Sequence, residues 1–168
     1  MKKLVAAAVL LAACGGGSKN VRPGGGSVVT PEWVSQGTGA FYVEAGKQLH
    51  GVGSASAADP KTRRQQADEA AQQQLSGGVD ALAQSLAKLS ESSAGNTAET
   101  IAGLAKKAAA QSAGIRDHWV TPDGTEQSLM VLDLGGFRSA LQSVDGDEKL
   151  KREMSANAER AFDSLMRQ

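Results

Sequence analysis

Ala67, Ala71, Leu75, Val79, Leu82, Leu86 and Leu89 recur at spacings of three and four, the period of one apolar face of a long α-helix. Asp59-Pro60 opens the segment. An Asp carboxylate accepts from free first-turn amides, and Pro suits the first helical position. A helix apolar on one side only has to lay that side against another layer, so the chain must supply a sheet or further helices. Gly77-Gly78 falls inside the pattern and predicts a weakened or kinked helix, each glycine costing about 1 kcal/mol relative to alanine. The Ser/Gly/Asn-rich stretch from Ser90 to Asn96 breaks the period, and a second, alanine-rich helix is expected from Thr97 to Ser112 with Ile101, Leu104 and Ala108 on its face.

Strand signals flank these helices. Phe41-Tyr42-Val43 and Gln48 to Ala55 read as two short strands, separated by Glu44 to Lys47 with a turn at Gly46. Ile115 to Val120 and Thr125 to Leu134 read as a hairpin across Thr121-Pro122-Asp123-Gly124, which carries Pro and Gly where a turn uses them. Met130, Leu132 and Leu134 share one face, and Gly135-Gly136 is expected to end the second strand. A short helix follows from Phe137 to Ser143. A clearer one runs from Asp147 to Met166, with Leu150, Met154, Ala158, Ala161 and Leu165 as its stripe and the pairs Lys149/Glu153 and Glu148/Arg152 on its wetted sides. The order β-β-α-α-β-β-α predicts an α+β fold: a small antiparallel sheet with helices packed on one face.

The first thirty residues have another logic. Met1-Lys2-Lys3 is basic and Leu4 to Leu11 is an apolar run, the n-region and short h-region of an export signal. Leu11-Ala12-Ala13-Cys14 resembles the bacterial lipobox, with small residues for a signal peptidase and a thiol that diacylglycerol alkylates. On this reading residues 1–13 are removed, Cys14 becomes a lipidated and N-acylated first residue, and no other cofactor is expected. Residues 14–30 form a glycine-rich tether, and its sixteen residues from Gly15 to Thr30 reach about 20–25 Å as a flexible coil. The residue after Cys14 is Gly15, not the Asp associated with inner-membrane retention, which favours the outer membrane. Residues 31–168 are then one domain, beginning at Thr30-Pro31-Glu32-Trp33-Val34, a breaker followed by an aromatic anchor.

Composition narrows the function classes. Of 18 basic residues, removing Lys2 and Lys3 leaves 16 against 18 acidic, a net charge of about −2, with no basic excess for nucleic acid. Cys14 is the only cysteine; once lipidated, it leaves no thiol for a disulfide, a metal or nucleophilic chemistry. Gly51-x-Gly53-x-x-Ser56 has two glycines of a dinucleotide loop, but the sixth position is Ser and the helix waits for Asp59-Pro60. The competing reading is that these glycines permit a bulge or the close passage of a neighbouring helix.

His50 and His118 are the only histidines and neither has a second ligand-type residue at metal spacing. Adjacent strand residues point to opposite faces, so Asp117 and His118 do not form an acid–base pair. Both histidines are expected on a solvated strand face, and no catalytic or metal residue is assigned. Trp33 and Trp119 are expected as core anchors. Trp33, Arg63, Arg64, Gln127 and Ser128 remain as candidates for a partner interface.

Pro31-Glu32-Trp33-Val34, Gly51-Val52-Gly53-Ser54-Ala55, the helix bearing Arg64, Ala67, Asp68, Ala71 and Leu75, and Trp119 with Leu129 to Asp133 occur in that order. Together, across most of residues 31 to 134, they resemble the small bacterial outer-membrane lipoproteins of the Lpp-twenty type, to which flagellar disk and ring lipoproteins are related. One departure is Gln127-Ser128, where an aromatic is expected. The resemblance implies an α+β fold, an envelope location and no catalytic residues. The sequence thus predicts a non-enzymatic structural or interaction module on the periplasmic face of the outer membrane. Its expected partners are the membrane through the lipid and either a protein or a second copy; its alternative is a module binding peptidoglycan or a small apolar ligand.

Overall fold

The computed structural model of the chain describes residues 29–90 and 97–167. The export and lipidation residues Leu11, Ala12, Ala13 and Cys14, and the tether as far as residue 28, lie outside the described residues. Helix α1 (Glu32–Gln36) is followed by strands β1 (Gly39–Val43) and β2 (Gly46–Ala55), helices α2 (Pro60–Ser90) and α3 (Ala98–Ser112), strands β3 (Gly114–Val120) and β4 (Glu126–Asp133), and helices α4 (Leu134–Ser143) and α5 (Glu148–Leu165). The strands form one antiparallel sheet in the order β1-β2-β4-β3. The fold is therefore the α+β layer expected, with α1 as an addition on the opposite side of the sheet.

Helix α2 begins where Asp59 accepts from the Thr62 amide and hydroxyl, both at 2.7 Å. It crosses β2 so closely that a Cβ on Gly51 would lie within 3.0 Å of Ala71 O, and one on Gly53 within 3.0 Å of Ala67 O and Ala71 N. Small residues face each other there, Ala67 and Ala71 on the helix and Gly51 and Gly53 on the strand, because backbone meets backbone. The glycines thus admit a neighbouring helix and are sealed from any nucleotide.

At about 1.5 Å per residue, 31 residues run to about 46 Å, so α2 overhangs the sheet. The C-terminal half is covered by other helices. Ser85 and Ser164 of α5 meet at 2.7 Å, Asn157 Nδ2 donates to Leu89 O at 3.2 Å, and Lys106 of α3 pairs with Asp80 at 2.8 Å. Leu82, Leu86, Ile101, Leu132, Phe137, Leu141, Leu150, Met154 and Phe162 are fully buried between sheet and helices. Each contributes about 1.5–3 kcal/mol of burial.

Gly77-Gly78 lies inside α2, which runs through it with Leu75, Val79 and Leu82 holding the turns on both sides in the core. Two sequence expectations change. Gly135-Gly136 belongs to the first turn of α4, because Asp133 Oδ1 accepts the Gly136 amide at 2.7 Å and starts the helix at Leu134. In α5, Glu148 pairs with Lys151 at 2.7 Å. The Lys151 ammonium, on a side chain only 4% exposed, also donates to Gln142 O and Val144 O at 3.1 Å. A cation thereby closes the C-terminal end of α4, where the helix carbonyls concentrate negative potential.

Candidate functional site

The two faces of the sheet carry different chemistry, and alternation along β4 sorts its residues between them. Glu126, Ser128 and Leu132 point toward α2, while Leu129 and Val131 point away and pack with Trp33, Trp119 and Val52. A bulge at Arg116 shifts the β3 register between Ile115 and Asp117. It turns Asp117 toward Trp33 and His118 toward α2. Asp117 Oδ2 accepts from Trp33 Nε1 at 3.1 Å, and His118 turns away from it, as alternation requires.

On the α2 face an acid, an imidazole, a hydroxyl and a guanidinium converge. Asp68 lies one turn after Arg64 on α2, and His118 is the cross-strand partner of Ser128. Asp68 Oδ1 is 2.6 Å from His118 Nε2 and accepts from Ser128 Oγ at 2.5 Å. Arg64 Nη2 lies 2.8 Å from His118 Nδ1. A guanidinium has only donors, so Nδ1 is the acceptor and Nε2 carries the proton given to Asp68.

This wiring differs from a nucleophile relay, in which the serine donates to the histidine and the acid orients the far ring nitrogen. Here Ser128 donates to the acid, and both ring nitrogens are already engaged. Ser128 is also fully buried. What the arrangement does is tie the first half of α2 to the β3–β4 hairpin. Next to it, Arg63 Nη1 donates to Ala57 O at 3.2 Å, and its Nε lies 3.7 Å from Glu126 Oε2, an ion pair longer than a hydrogen bond.

The interface candidates are therefore redistributed. Trp33 is buried on the second face, and Arg64 and Ser128 join through His118 and Asp68. Arg63 neutralises the buried Glu126. Gln127 and Ser128 occupy opposite faces, so they do not form one exposed patch. Both histidines depart from the expected solvated face. His50 is 5% exposed, tilts against Phe41 with ring centroids 4.9 Å apart, and meets Gln48 Oε1 through Nε2 at 3.0 Å. Burial pushes its pKa down. Asp68 was open to discovery in the sequence: Arg64 and Asp68, four apart, flank the Ala67/Ala71 stripe and so border the sheet.

Other surfaces of the described residues are also concave. A groove of about 410 Å³ between α2, α3 and the sheet is lined by Leu75, Val79, Ala109, Ala113 and Met130 among others. A second, of about 600 Å³, crosses the other face past Gln48, His50, Trp33 and Arg116. Among the described residues no group of three or more His, Cys, Asp or Glu side chains is arranged to hold a metal ion. Among them no helix is long and apolar enough to cross a membrane. Comparison of the chain with protein-family models, curated proteins and solved structures finds no match.

Proposed function

We propose that the chain is a bacterial outer-membrane lipoprotein of the Lpp-twenty type, held by lipids on Cys14. Its periplasm-facing α+β domain acts as a non-enzymatic structural or interaction module of the envelope, in the class that includes motility assemblies. The observation that carries this reading is Leu11-Ala12-Ala13-Cys14 placed directly behind a basic start and an apolar run of export length. A diacylated and N-acylated cysteine anchors stably, because each buried methylene adds about 0.8 kcal/mol and one chain alone is marginal. The glycine tether lets the domain stand off the lipid by about its own radius. The Arg64–His118–Asp68–Ser128 cluster supports a structural role, since its hydroxyl is committed to the acid.

Fractionation tests the anchor. The wild-type chain is expected in the outer-membrane fraction, labelled by radioactive palmitate, and Cys14→Ala is expected to lose both label and membrane recovery. A Cys14→Ala chain that still partitions fully with lipid would sink the proposal. In-cell cross-linking with identification of the captured protein tests the interaction role.

A second reading is favoured by the apolar groove between α2, α3 and the sheet: a module that takes a small apolar ligand or a segment of peptidoglycan. Co-sedimentation of the protein with purified sacculi, and displacement of an apolar fluorescent probe, separate this from protein scaffolding.

A further inference from the structure

The sheet has two outer strands, and they are built differently. Strand β3 carries Arg116-Asp117-His118 and the bulge at Arg116, and its charges are engaged: Arg116 with Asp133 at 3.4 Å, Asp117 with Trp33, His118 with Asp68. Charge and a bulge are the features that stop an edge from accepting another strand. Strand β1 has neither. Gly39-Ala40-Phe41-Tyr42-Val43 contains no charge and no proline, and its pairing with β2 runs unbroken from Gly39↔His50 to Val43↔Gly46. Tyr42 is 75% exposed, against 38% for Ile115 on β3.

We propose that the β1 edge is a self-association surface: it pairs antiparallel with β1 of a second copy about a twofold axis at Phe41, joining the two sheets into one. The strand is self-complementary in that register. Ala40 of each copy faces Tyr42 of the other, Gly39 faces Val43, and Phe41 meets Phe41, so a small residue lies opposite a large one in every pair off the axis. No like charges meet, and Glu44, the first charge beyond the strand, falls opposite Thr38. A symmetric strand pair of this kind closes on itself as a dimer and leaves the blunted β3 strands at both ends. The inference deepens the proposed interaction role and rests on that reading for its purpose. The pairing itself needs no membrane, which adds only local concentration, and so it is tested on the unanchored chain at high protein concentration.

The test uses the full chain with Cys14→Ala, so that an introduced thiol is the only one. Phe41→Cys is expected to form a disulfide-linked dimer under mild oxidation, because directly opposed residues of antiparallel strands have Cα atoms about 4.5–5.5 Å apart, within the roughly 4.4–6.8 Å that a disulfide spans. Ile115→Cys in the same background stays monomeric. Adding Tyr42→Lys to Phe41→Cys is expected to lower the cross-linked yield about tenfold, because both symmetric Ala40–Tyr42 pairs are lost and a charge enters each edge. Should Phe41→Cys impair folding, a mixture of Ala40→Cys and Tyr42→Cys chains is expected to give the mixed disulfide in preference to either homodimer.

The proposal falls if Ile115→Cys cross-links as readily as Phe41→Cys, if Tyr42→Lys leaves the yield unchanged, or if neither thiol arrangement yields a dimer. A missing Phe41 disulfide beside full membrane recovery of the wild-type chain overturns the edge pairing alone. A wild-type chain recovered outside the membrane overturns the anchoring and leaves a disulfide result standing by itself.

Discussion

His50 and Asp68 show how much single side chains decide here. Burial holds the His50 imidazole below its ordinary pKa of 6.5, whereas the unfolded chain takes up a proton near that value. The unfolded state therefore binds more protons as pH falls, and stability must decline from about pH 6.5 toward the folded pKa. His50→Gln is expected to flatten this decline in thermal unfolding followed between about pH 7 and pH 5. The carboxylates move in a separate window. Hydrogen bonds from Thr62 lower Asp59, and a hydrogen bond from Lys47 lowers Glu159. Their contribution is present above the usual carboxylate range and is lost as pH falls through the depressed values. For the α2 tie, Asp68→Ala removes the acceptor of two donors and is expected to cost about 2–3 kcal/mol, Ser128→Ala about 1 kcal/mol. A double-mutant cycle in urea should show the two to be non-additive. A hydrolytic activity abolished by Ser128→Ala at unchanged stability would contradict the structural assignment.

At the scale of elements, the contrast among glycines is the sharpest lesson. Gly53→Ala forces a Cβ into the α2 backbone and is expected to cost more than about 3 kcal/mol, because neither backbone can yield. Gly77→Ala meets nothing within 4 Å and is expected to stabilise the domain by about 1 kcal/mol. Chemical denaturation of the two variants decides both signs. The periods of α2, α3 and α5 were legible because each buries one stripe, and Asp59, Thr97 and Asp147 announce their starts: the Thr62, Thr100 and Leu150 amides bond to them. What misled local reading was propensity. Gly135-Gly136 looks like a strand end until Asp133 is seen to cap and start α4 at Leu134. The same limit applies to Lys151, whose charge predicts solvent and whose partners are the carbonyls at the end of another helix.

For the whole molecule, the sheet separates a large core under α2 to α5 from a small cluster around Trp33, Trp119, Leu129 and Val131. Trp33→Ala is expected to cost about 3 kcal/mol in denaturant unfolding and to remove amide protection from α1 while α2 to α5 keep theirs, measured by hydrogen exchange. A variant of unchanged stability that fails only to capture a partner would restore Trp33 to an interface. Sequence alone determined the α+β class, the order of its main elements and the resemblance to a lipobox, because periodicity, caps and a short linear motif are local properties. Only the tertiary structure decided what His118, Asp68, Ser128 and Arg64 do. They lie on three elements up to 64 positions apart, and neither their meeting nor the direction of each hydrogen bond follows from spacing. Gly51 and Gly53 belong to both accounts: their residue type was visible at once, and its cause is the helix that lies against them.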